Sequence, residues 1–323
     1  MKRWRAGLRP RTLQRMVPVS GDSNRSAGLS EGAATATMIT GLDHVLIVCT
    51  SAEEGENVYA TLLGREPDWR STDSAGSATA IFQLENMALE IMAPNGGGPL
   101  ARRLHAMLEN EGAGLKSLVF ASDNLEQDRG PLDRRGLKPD AITQGESVDP
   151  YTGRARYWSR LRLDESVTHG VRIFALQRRT DDPLIYKPAD NSSVSAIDHV
   201  VINTHNPDRA ASLYGARLGL RLALDRSNPD WDMRLLFFRI GGITVELAHR
   251  LSAGAGNQPD RLWGLSWRVP DIDAAHARLQ EAGLAVTGIR PGRRPGSRVF
   301  TVRDGTLGVP TLILSAEAAN SAE

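Results

Sequence analysis

Apolar and polar residues alternate over short segments along most of the chain, and stretches with helical spacing lie between those segments. Residues 197–203 alternate in this way, which predicts a strand that is buried on one face. Residues 207–218 follow with helical spacing, with Asn206 at the N-cap and Gly219 as the stop. Three further strands are predicted at residues 220–224, 233–240 and 243–248, with the hairpin turn Gly241-Gly242 between the last two.

The same succession of one strand, one helix and three strands occurs earlier in the chain. Asp43-His44-Val45 in its first strand recurs as Asp198-His199-Val200, at an offset of 155 residues. Shared spacing over about 50 residues indicates an internal duplication. Further residues that recur at this offset, or one residue beyond it, are Tyr59 with Tyr214, Leu63-Gly64 with Leu218-Gly219, and Glu90 with Glu246.

A second, weaker repeat follows each of these units. An apolar strand from Leu118 leads through an acidic helix start to Gly136, and a strand at Trp267 leads in the same way to Gly283. The order is therefore A-B-A′-B′, four units of roughly 50–65 residues that each predict a βαβββ succession. We predict an α+β protein with curved mixed sheets, built as two tandem domains. The predicted boundaries are an extension at 1–38, a first domain at 39–180, a linker at 181–195, a second domain at 196–317 and a tail at 318–323.

The composition is that of a soluble globular protein, with 41% hydrophobic and 24% charged residues among 323. The 39 Lys and Arg against 38 Asp and Glu leave a net charge of +1, which argues against a nucleic-acid or membrane-surface partner. No apolar run reaches the ~18–20 residues of a membrane helix. The single cysteine, Cys49, rules out an intrachain disulfide and indicates a reducing compartment, so we expect a cytoplasmic protein. The expected partner is a small-molecule substrate, and the expected state is a monomer or a homodimer.

The N-terminal 38 residues differ from the rest of the chain. Seven Lys or Arg and one acid, Asp22, lie among the first 30 residues. An Arg-rich, Ser-containing and acid-poor start resembles a mitochondrial presequence, which gives a mitochondrial location as the alternative. The other interpretations are a disordered extension, or a start assigned too early with Met38 as the real first residue.

A βαβββ unit with Asp-His-Val in its first strand and a Glu in its last resembles the modules of the vicinal oxygen chelate superfamily. That superfamily includes glyoxalase I, methylmalonyl-CoA epimerase, extradiol dioxygenases and bleomycin-resistance proteins, and unit B is similar to its glyoxalase-like domain branch. In that family two units pair to form a cup, and their first and last strands direct ligands at one divalent ion. The resemblance implies His44, Glu90, His199 and Glu246 as ligands for Zn, Ni, Fe, Co or Mn, with Glu90 and Glu246 also as catalytic bases.

Units B and B′ lack the matching ligands, which leaves two pairings of units open. Their first strands carry Lys116-Ser117 and Trp263-Gly264-Leu265, and their last strands carry Ile173-Phe174 and Thr311-Leu312-Ile313. If A pairs with B and A′ with B′, each cup keeps one His and one Glu, which are fewer protein ligands than tight metal binding requires. If A pairs with A′ instead, both histidines and both glutamates form one complete site.

Several other side chains are candidates for holding the substrate. Arg298, together with Arg293 and Arg294, suits a carboxylate or a phosphate, because guanidinium groups bind such anions through two hydrogen bonds. Trp231 and Trp263 are suited to wall an apolar pocket. The alternative interpretation is that the loop arginines are solvated and that the two strand histidines are hydrogen-bonded structural residues. The matching arginines in the first half of the chain are Arg154, Arg156 and Arg160.

Two classes of function remain open on this sequence. The first is a metal-dependent lyase, isomerase or epimerase that acts on a small substrate with adjacent oxygens and moves a proton next to a carbonyl. The second is a metal-independent protein that binds a small molecule, as bleomycin-resistance members do. An extradiol dioxygenase is disfavoured because unit B′ lacks the ligands. No dinucleotide-binding glycine motif, phosphate loop or Gly-x-Ser-x-Gly turn is present in the sequence.

Overall fold

The structure is a computed structural model, and it describes residues 39–179 and 183–315. The predicted N-terminal extension, the first residues of the predicted linker and the predicted tail lie outside the described residues. In the two described ranges, no helix is long and apolar enough to span a membrane.

The strands of the first domain are β1 (Gly41–Val48), β2 (Trp69–Thr72), β3 (Ser77–Gln83), β4 (Ala88–Pro94), β5 (Gly114–Ala121), β6 (Thr143–Val148), β7 (Ala155–Arg162) and β8 (Arg172–Arg178). They form one mixed sheet in the order β2-β3-β4-β1-β5-β8-β7-β6. Strand β1 pairs in parallel with β4 and antiparallel with β5. Units A and B therefore meet at their first strands.

The strands of the second domain are β9 (Ala196–Asn203), β10 (Arg221–Asn228), β11 (Met233–Ile240), β12 (Ile243–Arg250), β13 (Arg261–Val269), β14 (Arg290–Pro291), β15 (Arg298–Val302) and β16 (Thr311–Ser315). Their order, β10-β11-β12-β9-β13-β16-β15-β14, repeats that of the first sheet. The predicted hairpin turn is confirmed, with Gly241 and Gly242 at φ of 53° and 80°. Two curved mixed sheets confirm the predicted α+β fold with two tandem domains.

The observed pairing excludes the alternative in which unit A meets unit A′. His44 and Glu90 lie in the first sheet, and His199 and Glu246 lie in the second. The reason is that β1 has only one free edge once β4 is paired, and β5 occupies that edge. Among the described residues, no group of three or more His, Cys, Asp or Glu side chains is arranged to hold a metal. The hypothesis of one site with two His and two Glu is therefore wrong.

Helices cover one face of each sheet. The helix predicted over 207–218 is present, and Asn206 caps it by accepting a hydrogen bond from the backbone N–H of Arg209 at 3.0 Å. Its first part is α-helical, and it continues as a π-helical turn over Ser212–Arg217. The α-helices are α1 (Ala52–Leu63), α2 (Pro99–Glu111), α3 (Leu125–Arg134), α4 (Pro207–Ala211) and α5 (Ile272–Glu281).

A single apolar cluster extends through both domains. Tyr59 of α1 packs against Trp267 of β13, with their ring centroids 6.3 Å apart. The matching contact comes from the second domain, where Arg217, at the end of the π-helical turn that follows α4, donates to the carbonyl oxygen of Arg135 in the first domain at 2.9 Å. The helix of each A-type unit therefore contacts the B-type unit of the other domain, and the duplication produces two matched contacts.

A β-bulge near the start of β1 and of β9 turns two successive side chains toward one face. The register of β1 against β5 shifts between Leu42 and His44, so that Asp43 has no partner on β5. In the second sheet the register of β9 against β13 skips Asp198 in the same way, next to His199. An extra residue in a strand breaks the alternation of side chains. In each domain an Asp and the following His consequently lie side by side.

Candidate functional site

The candidate site lies on the sheet face opposite the helices, which we call the first cup in the first domain and the second cup in the second. Gly55 of α1 packs closely against Ile91, so Glu90, one position earlier on β4, faces away from the helices. The two edge strands of the first sheet touch where Trp69 Nε1 on β2 donates to Ser147 Oγ on β6 at 2.9 Å. The first sheet therefore curls around its cup.

Four charged side chains form a continuous chain on the floor of the first cup. His44 Nε2 lies 2.9 Å from Glu90 Oε2, and His44 Nδ1 lies 2.7 Å from Asp43 Oδ1. Arg178 Nε donates to the other Asp43 oxygen at 2.6 Å. In the parallel pairing of β1 with β4, His44 lies opposite Ala88, and Glu90, two residues further along β4, projects from the same face. Both nitrogens of this imidazole are consequently held by carboxylates.

Burial opposes the charge of these groups, but their mutual attraction outweighs it. Burial lowers the pKa of His44, whereas Glu90 and Asp43 raise it, and the resulting pKa is about 9. Burial raises the pKa of Glu90, but His44 and the charges of Arg156 and Arg160 lower it further, so the net shift is downward. The pKa of Asp43 is also well below its usual range, because the contact with His44 overcomes burial. At neutral pH the site therefore holds an imidazolium between two carboxylates.

We expect His44 to titrate in the folded protein with a midpoint near the pKa of about 9, against an ordinary value of 6.5. Because the folded-state pKa is the higher one, the stabilisation from this charge is complete below pH 6.5 and is lost as the pH rises through about 9. The NMR shift of the imidazole Cε1 proton measures the midpoint. Glu90→Gln should lower it and Glu246→Gln should leave it unchanged, whereas a wild-type midpoint at or below 6.5 would refute the ion-pair chain.

Arginine side chains make one wall of the first cup cationic. Arg156 and Arg160 lie on β7, four residues apart, and alternation places them on the same face. The guanidinium carbon of Arg156 lies 5.4 Å from the ring centroid of Trp69, and that of Arg160 lies 5.9 Å from the centroid of Phe174. Stacking on aromatic rings positions a guanidinium while leaving its N–H groups available at the edge. This wall is suited to bind a carboxylate.

The second cup repeats the Asp-His-Glu chain with a looser geometry. His199 Nδ1 lies 2.8 Å from Asp198 Oδ1, and His199 Nε2 lies 3.4 Å from Glu246 Oε2. Ser266 Oγ is nearer to the same nitrogen, at 2.7 Å. In the first cup Val119 occupies the matching register position on β5. The two cups therefore differ in the group that lies nearest to histidine Nε2.

Two of the predicted substrate-binding residues occupy different places around the second domain. Trp231 lies at the rim of the second cup, where the Arg293 guanidinium is 4.8 Å from its ring centroid and Arg293 Nη1 is 3.9 Å from Glu246 Oε1. Arg298 instead binds Asp273 of α5 with two contacts of 2.5 and 2.8 Å. The structure thus directs Arg298 toward the helix face and not into the cup.

The third predicted residue, Trp263, lies outside the second cup. It is 50% exposed and lines a cavity of about 500 Å³ between the domains, together with Lys116 and Arg172. The cause is a bulge in β13 between Leu262 and Gly264, which takes the Trp263 side chain out of the strand alternation.

The donor groups in each cup do not fit a tightly bound divalent metal. Each cup offers one imidazole and one carboxylate on its A-type unit, whereas a catalytic zinc ion takes about three protein ligands. In the first cup both His44 nitrogens are already held by carboxylates, and arginine charges act on Glu90, which disfavours a further cation. The residues opposite the two histidines on the B-type units are Val119 in the first cup and Ser266 in the second, and neither supplies an imidazole or a carboxylate.

Sequence reasoning missed the residues that flank the two histidines. Asp43 and Asp198 carried a usable signal, because the duplication repeats the Asp together with the His. Ser266 and Arg178 carried none, since neither residue is repeated in the other half and neither belongs to a spaced motif. Their contacts depend on strand register, which the sequence pattern does not specify at single-residue precision.

Comparisons with known families cover both domains. The glyoxalase-like domain family matches residues 42–216, more than half of the 323-residue chain. The Glyoxalase/Bleomycin resistance protein/Dioxygenase superfamily matches residues 198–301. No curated protein matches the sequence significantly.

Solved structures of similar fold have low sequence identity. A triple mutant of 4-hydroxymandelate synthase from Streptomyces coelicolor superposes with a TM-score of 0.60 at 15% identity, over 88% of this chain and 94% of that one. A hypothetical protein from Staphylococcus aureus gives 0.56 at 9% identity, over 85% and 99%. Methylmalonyl-CoA epimerase from Mycobacterium tuberculosis gives 0.36 at 22% identity, over 43% of this chain and 98% of that one. The first two similarities support the two-domain fold.

Proposed function

Because the chain belongs to the glyoxalase-like domain family of the vicinal oxygen chelate superfamily, we propose that it is an enzyme that moves a proton next to a carbonyl group. The proposed site is the first cup, and the reaction class is that of a lyase, isomerase or epimerase. One observation carries the proposal, namely the chain of Asp43, His44 and Glu90 beside Arg156 and Arg160. This arrangement places a half-buried carboxylate, a proton donor and anion-binding groups together.

The proposed substrate is a small acid that carries a carboxylate next to a carbonyl. Such a molecule has vicinal oxygens and a negative charge, and both features suit the guanidinium groups of Arg156 and Arg160. Because Trp69 and Phe174 already hold these guanidinium groups in place, the two side chains lose little conformational entropy when the anion binds. The substrate carbon next to the carbonyl would then lie toward Glu90.

Glu90 is the proposed base. Its pKa is lowered in the free protein, chiefly by His44 and in addition by the charges of Arg156 and Arg160, so the free carboxylate is a weak base. A bound substrate carboxylate offsets the two arginine charges, and this removes their share of the lowering of the Glu90 pKa. Substrate binding would therefore increase the basicity of Glu90 when a proton is to be removed.

His44 and Asp43 stabilise the enolate that this proton transfer forms. Once Glu90 is protonated, it no longer attracts the His44 Nε2–H as a carboxylate does, and the imidazolium becomes available to stabilise the enolate oxygen. Asp43 holds the other nitrogen and keeps the ring in place, and Arg178 in turn holds Asp43. Return of a proton to the opposite face of the same carbon gives epimerisation, and its return to the former carbonyl carbon gives isomerisation.

The proposal requires no metal. The divalent ion implied by the family resemblance would find one imidazole and one carboxylate in each cup, and the first cup already neutralises its carboxylates with an imidazolium and guanidinium groups. Positive charge on these protein groups supplies the electrostatic stabilisation of the enolate in this mechanism.

A metal-independent binding protein is the second candidate. The contact of 2.9 Å between His44 and Glu90 supports it, because a carboxylate in a close ion pair is a poor base. In that case Arg156 and Arg160 would hold an anionic ligand, and no proton would move. The two candidates share the ligand class and differ in chemistry.

Deuterium exchange separates the two candidates. We expect the wild-type protein in D2O to accelerate loss of the proton signal next to the carbonyl in 2-oxo acids, with a rate that saturates in substrate and falls when oxalate is added. Proton NMR follows the exchange. Exchange at the rate of buffer alone, in a protein that binds oxalate by calorimetry, would reject the enzyme in favour of the binding protein. An absence of both exchange and oxalate binding would reject the first cup as a site for vicinal-oxygen acids.

A further inference from the structure

The second cup contains a chain of hydroxyl, imidazole and carboxylate that the first cup lacks. Ser266 Oγ lies 2.7 Å from His199 Nε2, and His199 Nδ1 lies 2.8 Å from Asp198 Oδ1. These distances are those of hydrogen bonds. At the position of Ser266 the first domain has Val119, so this chain is specific to the second cup.

The order of the three groups is that of an activated serine nucleophile. In the tautomer whose Nδ1–H donates to Asp198, the other ring nitrogen, Nε2, is the acceptor for the Ser266 hydroxyl. The carboxylate thus fixes the tautomer that accepts the serine proton. Glu246 Oε2, 3.4 Å from the same nitrogen, is placed to stabilise the imidazolium that forms.

Cationic donors lie beside this chain. Arg268 is two residues beyond Ser266 on β13 and on the same face, and its Nε is buried with no hydrogen-bond partner among the described residues. Its distance of 3.7 Å from Asp198 Oδ2 is too long for a hydrogen bond. Arg293 reaches within 3.9 Å of Glu246 from the rim. Arg268 therefore lies at the Asp198 end of the chain, where its charge favours the ionised carboxylate, and Arg293 can attract an anionic substrate at the rim.

We infer that Ser266 is the nucleophile of a second activity, the hydrolysis of small anionic esters in the second cup. In the first step the Oγ–H proton passes to His199 Nε2 while Oγ bonds to the ester carbon and the carbonyl electron pair moves to oxygen. The ester C–O bond then breaks, and the imidazolium returns its proton to the leaving alcohol. Water repeats the sequence on the acyl-serine, which releases the acid and restores the hydroxyl.

This activity is separate from the one proposed for the first cup, because the two sets of residues lie in different sheets. Loss of Ser266 should leave deuterium exchange by Glu90 unchanged. Failure of either proposal therefore does not decide the other.

An alkyl fluorophosphonate tests the inference on the full chain. We expect it to add once per chain, with the adduct located on Ser266 by peptide mass spectrometry. Ser266→Ala should abolish the adduct, and His199→Gln should slow its formation about 100-fold, as expected when a general base is lost. Ser117→Ala is the matched control, because Ser117 is a buried serine on the corresponding strand β5 of the first sheet and should not affect the labelling.

Circular dichroism on each variant distinguishes the loss of the adduct from the loss of the fold. If His199→Gln loses its fold, Asp198→Asn replaces it and should slow the labelling, because it removes the carboxylate that fixes the His199 tautomer. An adduct on another residue, no adduct on the folded wild-type protein, or a rate that is unchanged in the folded His199 and Asp198 variants would overturn the assignment of Ser266.

Discussion

Replacing Glu90 with glutamine should reduce the rate of deuterium exchange by roughly 100- to 10,000-fold, the usual contribution of a general base. Glutamine keeps the size of the side chain and a group that can contact His44 Nε2, so the floor of the first cup retains its shape. It cannot accept a proton from carbon, and it removes the charge that raises the pKa of His44. The exchange rate of the 2-oxo acid in D2O measures the effect.

Glu246→Gln is the matched control for this prediction. Glu246 occupies the same place in the second sheet, beside His199, and is buried there. Its replacement should leave the exchange rate within about twofold of the wild-type value, because it is remote from the first cup. Equal losses in the two variants, or no loss with Glu90→Gln, would show that Glu90 is not the base.

Replacing Trp267 with alanine should lower the free energy of unfolding by about 3–5 kcal/mol. The ring is fully buried and packs against Tyr59 of the other domain, so its removal leaves a cavity where the two halves meet. The effect should extend to both domains, since one apolar cluster joins them. Urea unfolding followed by circular dichroism gives the change in free energy.

Trp263→Ala is the control for the packing prediction, because this tryptophan lies on the same strand and is 50% exposed. Its loss should cost less than about 1 kcal/mol. Similar costs for the two tryptophans would mean that burial at the contact between the domains is not what stabilises the fold. A second, separate unfolding transition in the wild-type protein would also disagree with a shared core.

The fold was predictable because the chain repeats its pattern. The matched spacing of Asp-His-Val with a later Glu, and the turn at Gly241-Gly242, identified the modules and the hairpin at the right positions. Alternation within each strand also placed Glu90 on the face away from the helices. These features depend on local periodicity, which one sequence is sufficient to show.

The pairing of the units could not be predicted from the same pattern. Both edges of β1 present backbone N–H and C=O groups to a neighbouring strand. The alternation of apolar and polar residues does not specify whether β5 or a strand of the other domain pairs with the second edge. In the structure β5 pairs with that edge, so His44 and His199 lie in different sheets. The alternative of one metal site with four ligands depended on the opposite pairing.

Irregular strands account for most of the remaining differences. A bulge placed Asp43 beside His44, although strict alternation would separate their side chains. Another bulge took Trp263 out of the second cup, and an ion pair with Asp273 fixed Arg298 on the helix side. Bulges and salt bridges of this kind arise from contacts between distant segments, and periodicity contains no information about them.

Exchange measured after chelation decides whether the first cup moves a proton without a metal. The protein would be dialysed against a strong chelator, checked for metal by elemental analysis, and assayed for exchange of a 2-oxo acid before and after addition of one equivalent of Zn, Ni, Fe, Co or Mn. We expect the same rate in every sample, with loss only in Glu90→Gln. A rate that disappears on chelation and returns with one stoichiometric metal ion would show instead that the reaction depends on that metal.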